Sequence, residues 1–166
     1  SMSIAVIRLN FENDRRSPGP AERLGDLMFD SPDIDGQRQS LAAFYAEASY
    51  GRLEVTGSVF PVVTIPKGSG SCDYWNGWGS AAMAVLESQG VSLEEYTHAM
   101  FVWPHLGCDY AGIARIGRDI SGLNLSRGWW KTAELRRDAL DTMIHEFGHN
   151  LGAPHAGAIR CKSSGT

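Results

Sequence analysis

Residues 145–155 read HEFGHNLGAPH. His145 and His149 are four residues apart, so on an α-helix they stand one above the other on one face. Two imidazoles at that spacing bind a single Zn2+ at about 2.0–2.1 Å each. Glu146 is offset around the helix from both. It is badly placed to join the same tetrahedron, but it can reach a water at the metal, which is the place of a general base. Gly152 falls where the chain should leave the helix, because glycine accepts the left-handed φ of that turn. Ala153 and Pro154 prevent the helix from continuing, and the turn can bring His155 back as a third ligand. Three protein ligands leave a fourth position open, the arrangement of a catalytic rather than a structural zinc site.

The motif sits at the end of TAELRRDALDTMIHEFGHNLG (132–152), the longest helical pattern in the chain. Leu140, Ile144, Phe147 and Leu151 form one stripe along it and should bury against a sheet. Upstream, IAVIRLNF (4–11) reads as a buried strand and NDRRSPGPAE (13–22) as a polar loop. SLAAFYAEASYG (40–51) reads as a helix stopped by Gly51, followed by a β-rich stretch, RLEVTGSVFPVVTIP (52–66). KGSGSCDYWNGWG (67–79) is a Gly-rich loop and SAAMAVLESQG (80–90) a short helix. HAMFVWPH (98–105) is a second buried strand and AGIARIGRDI (111–120) an exposed one, while NLSRGWWKT (124–132) matches no pattern. The order β-α-β-α-β-β-α implies a mixed sheet with helices packed on it.

At 166 residues the chain suits one domain, long enough to bury its own core. Fifteen Lys and Arg against 19 Asp and Glu give a net charge of −4, with no basic block. That balance offers no electrostatic footprint for nucleic acid. No apolar run reaches the length of a membrane span, and no signal peptide is visible at the N-terminus. Ser1 and Met2 read as a cloning remnant, which would make the chain an excised segment. The three cysteines allow a Cys72–Cys108 disulfide with Cys161 left over, or three thiols.

A shuffled chain of this composition would contain HExxHxxGxxH about 3 times in 100,000. At these residues the sequence resembles the metzincin zinc endopeptidases, and HEFGHNLGAPHA is most similar to their gametolysin-like group. LNFEND near the start and SLAAFYAEASYGRLEVTGSVFP in the middle carry weaker likeness, so the resemblance spans roughly 4–157. It implies an α+β, zincin-like fold: a mixed twisted sheet, a backing helix and a zinc-bearing active-site helix. It implies one catalytic zinc held by His145, His149 and His155, with Glu146 assisting a zinc-bound water to hydrolyse peptide bonds. It further implies a protein or peptide substrate lying as an added strand along an edge segment, here Gly112–Ile116 and extending to Ile120, and a secreted, extracellular enzyme. Nucleic-acid and membrane partners are not expected, and the oligomeric state is not readable.

The family also carries a methionine turn after its third ligand. All five methionines here, Met2, Met28, Met83, Met100 and Met143, precede His149. The expectation is therefore a single metzincin-type catalytic domain over 1–166, truncated after the third zinc ligand. The alternative is a zinc-binding but catalytically incomplete domain that serves as a binding or structural module. Asp141, one turn before His145, could orient an imidazole or simply be a solvated partner of Arg137. His98 and His105 flank a strand and could be further ligands or plain polar surface. Trp129 and Trp130 could wall a cleft or cover the end of a core. Cys161 could bind the zinc only if the tail folded back.

Overall fold

The computed structural model describes residues 1–30, 33–34, 37–38, 40–66, 72, 75–125 and 133–155. The sheet grows around β1 (Met2–Phe11), which carries buried residues on both faces. It pairs in parallel with β6 (His98–Pro104), Ile4 opposite His98 and Arg8 opposite Val102. On its other side β1 pairs in parallel with β4 (Val55–Val59) and then with β5 (Val63–Ile65). These two strands come from one β-rich stretch interrupted at Pro61, which has no N–H for a ladder. Beyond β6 lies β8 (Ile120–Leu125), again parallel, and outside it β7 (Gly112–Ala114), antiparallel and at the edge. A two-stranded ladder, β2 (Asp33–Ile34) with β3 (Gln37–Arg38), stands apart.

Continuous apolar runs are what a parallel sheet buried on both faces requires. Successive side chains alternate sides, so β1 sends Ile4 and Val6 one way and Ala5, Ile7, Leu9 and Phe11 the other. The first face is covered by α1 (Ala21–Gly25) with the π-helical turn that follows it (Asp26–Asp30), by α2 (Leu41–Ala48) and by α4 (Ala133–Asn150). The second is covered by α3 (Trp75–Ser88), which inserts Trp75 and Trp78 against Phe11 and Trp103. The result is a mixed α+β sheet sandwiched between helices, consistent with a zincin-like metalloprotease fold.

Helix α2 is the backing helix. Ser40 caps it by accepting from the Ala43 N–H at 3.1 Å, leaving the helix to start at Leu41. Its Tyr45 donates its hydroxyl to the Ile144 carbonyl at 2.8 Å and packs edge-on to the Phe147 ring. Phe147 is fully buried, and burying such a side chain stabilises by about 2–3 kcal/mol.

Four expectations change. The apolar stripe of α4 runs through Ala139, Leu140, Met143 and Phe147, with Ile144 half-buried and Leu151 37% exposed. The helix stops at Asn150 and the chain turns away before Leu151 can reach the core. The segment 111–120 is not one strand: β7 ends at Ala114, a turn follows, and Ile120 opens β8. Asn124 and Leu125, left unassigned with the segment 124–132, close β8. Helix α3 begins at Trp75, inside the stretch read as a Gly-rich loop, because Trp75, Trp78 and Ala82 share one buried face. Trp129, Trp130 and Cys161 lie outside the described residues.

Candidate metal centre

The C-terminal end of α4 builds the site. Gly152 takes φ +97°, its N–H reaches the His149 carbonyl at 2.9 Å, and the Ala153 N–H reaches the Gly148 carbonyl at 3.0 Å. This pair of bonds is a Schellman stop, and its left-handed residue is glycine because a Cβ would be strained there. The reversal brings Pro154 and His155 back along the last turn. The Nε2 atoms of His145, His149 and His155 then form a triangle with edges of 3.0, 3.1 and 3.2 Å.

Which atom donates in each of these contacts depends on the ring tautomers. The Ala153 carbonyl lies 2.6 Å from His149 Nδ1, and a carbonyl only accepts, so Nδ1 carries the proton and Nε2 presents a bare lone pair. Burial, with the neighbouring His149 and His155, lowers the His145 pKa from the ordinary histidine value, which favours the neutral ring. With the other two rings in the same tautomer, three lone pairs would point at one place and a cation there would satisfy all of them. Nitrogens at about 2.0–2.1 Å from a shared tetrahedral centre stand about 3.3 Å apart, close to the observed edges. The donor set therefore fits zinc, and the three side chains could hold one metal ion. His145 and His155 are exposed, so the open side faces solvent.

Glu146 lies on the inner side, 5% exposed, wedged between α4 and the sheet edge. A Cβ on Gly112 of β7 would stand 2.5 Å from Glu146 Cγ and 2.7 Å from its Oε1. Glycine at 112 is what lets the edge strand press on this carboxylate. Burial pushes the Glu146 pKa up to about 7, with His149 pulling the other way.

Other sequence candidates stay apart from the cluster. Asp141 is exposed, and it is the Ala153 carbonyl that meets His149 Nδ1. His98 rests on the Phe147 ring and bonds the Thr97 hydroxyl, while His105 is exposed on a loop. Cys72 and Cys108 are joined as a disulfide, the pairing favoured from the sequence. One residue escaped the sequence reading. Asn150 is 5% exposed, and its Nδ2 donates to the carbonyls of Ile120 at 2.8 Å and Arg115 at 3.2 Å. At the end of a helix an asparagine reads as a cap, and its partners 30 and 35 residues away left no local signal.

A family model described as Metallo-peptidase family M12B Reprolysin-like matches residues 82–156. The match starts within α3, takes in β6, β7, β8 and α4, and ends just past His155. No curated protein and no solved structure matches the chain. The family match supports a metzincin-like metalloprotease, and with it a metallopeptidase that takes protein or peptide substrates and uses zinc. The disulfide fits an extracellular protein. None of the described helices is long and apolar enough to cross a membrane.

Proposed function

We propose that this chain is a zinc endopeptidase of metzincin type, most similar to the gametolysin-like group, in which His145, His149 and His155 hold the metal and Glu146 is the general base. The observation that carries the reading is the convergence of three Nε2 atoms within 3.0–3.2 Å of one another, beside a buried carboxylate. Zinc bound there supplies a Lewis acid that polarises the scissile carbonyl and acidifies water.

The chain's own groups do the rest. Glu146 takes a proton from the attacking water as its oxygen bonds the carbonyl carbon, then gives that proton to the amide nitrogen as the C–N bond breaks. The edge of β7, which no other described strand pairs, offers backbone N–H and C=O groups to an extended peptide. Strand addition is confined to the three residues Gly112–Ala114, shorter than the sequence suggested. In this reading residues 1–166 belong to one catalytic domain, and the Cys72–Cys108 disulfide favours secretion.

Metal analysis tests the first half. Protein purified without chelator should carry one zinc per chain, and His149→Ala should lose it. A zinc-free preparation that takes up no added zinc would end the proposal. Zinc bound by a protein that hydrolyses nothing would favour the other reading, a metal-holding module.

A further inference from the structure

The edge strand β7 is three residues long, too short to hold its own position, and it is fastened at both ends. Before it, Asn124 accepts from the Leu106 N–H at 3.0 Å and donates to the Tyr110 carbonyl at 2.9 Å. Tyr110 in turn donates its hydroxyl to the Cys72 carbonyl at 2.8 Å, next to the Cys72–Cys108 bridge. After it, the β7–β8 turn is fastened to the last turn of α4. The Gly117 N–H donates to the His149 carbonyl at 2.8 Å, and Asn150 reaches across to Arg115 and Ile120 on either side of the turn.

The Asn150 amide is aimed one way only. Its two N–H groups meet two carbonyls, while its buried Oδ1 meets no partner among the described residues.

From this we infer that Asn150 is a positioning residue, which sets the height of the β7 edge over the metal by tying the turn after β7 to the turn that carries His149. This rests on the endopeptidase reading of the site. The substrate backbone would be aligned against β7 and the scissile carbonyl against the metal. Both references must keep one spacing, and Asn150 bridges them directly.

The test compares zinc-loaded wild type with Asn150→Ala and, should that variant fail to fold, with Asn150→Ser, which keeps one donor. Each is given an eight-residue peptide long enough to pair with β7 and a blocked dipeptide amide that is not. The ratio of kcat/KM for the long over the short substrate should fall roughly tenfold in the variant, a misplacement effect. Zinc content should be unchanged, and amide exchange at Ala114 and Gly117 should quicken. A ratio equal to wild type, whatever the drop in stability, would overturn the inference, because a purely structural role lowers both substrates together. If wild type cleaves neither substrate, the endopeptidase reading falls, and binding of the long peptide to the zinc-loaded protein decides. Weaker binding in the variant sustains the positioning role, and equal or absent binding ends it.

Discussion

Glu146 is the residue on which chemistry and stability pull in opposite directions. Its pKa stands near 7 in the fold against an ordinary 4.5, because burial disfavours the charged form. The folded state therefore holds a proton that the unfolded state has lost, and stability falls as pH rises from the ordinary value through the folded one. Metal-free Glu146→Gln keeps the shape without the charge. It should melt higher than metal-free wild type at pH 8, with the gap closing toward pH 4.5. A gap independent of pH would show that the carboxylate is solvated in the fold. Gly112 is the partner of this arrangement. Gly112→Ala places a methyl 2.5 Å from Glu146 Cγ, which should destabilise by about 1–3 kcal/mol and lower peptide hydrolysis well beyond any loss of bound zinc.

Among elements, α4 matters most, and two contacts govern it. Tyr45 braces it from α2 through the hydroxyl bond to Ile144, and burial of that hydroxyl raises the Tyr45 pKa to about 12. Tyr45→Phe should cost about 1 kcal/mol in denaturant unfolding, and a variant as stable as wild type would leave the brace without energetic weight. Most of α4 was legible in advance, since HExxH, Gly152 and Pro154 act within a few residues of one another. The edge was less so. AGIARIGRDI alternates like a single strand, and the signal that it folds back is Gly117, whose φ of +64° turns the chain between Arg115 and Arg118. The stripe was carried one turn too far, to Leu151, for a related reason. Periodicity continues on paper after the Schellman stop has redirected the chain. Asn150 was invisible because its partners belong to another element.

At the scale of the whole molecule, the sheet splits the labour. The face under α3 is a core of Trp75, Trp78, Phe101 and Trp103, while the face under α4 combines a core with the site at its open end. The disulfide joins the start of α3 to the loop that leads into β7. Its reduction should cost about 2–4 kcal/mol for a 36-residue separation, seen as a lower melting temperature in reductant. A melting temperature unmoved by reductant would mean that loop is fixed by other contacts. Zinc should act in the same direction, since a ligand bound only by the folded state raises its stability. A mixed sheet with helix layers was readable from the alternation of long apolar runs and helical stripes. The partition into β4 and β5, and the start of α3 at Trp75, depended on packing across the sheet that no local pattern carries.

Hydrolysis of denatured casein by the zinc-loaded chain and by zinc-loaded Glu146→Ala, with bound zinc measured in both, tests the central claim most directly. The account predicts cleavage by the wild-type chain and its loss in the variant while the zinc stays in place. Equal cleavage by both, or none by a wild-type chain that carries its zinc, would contradict it.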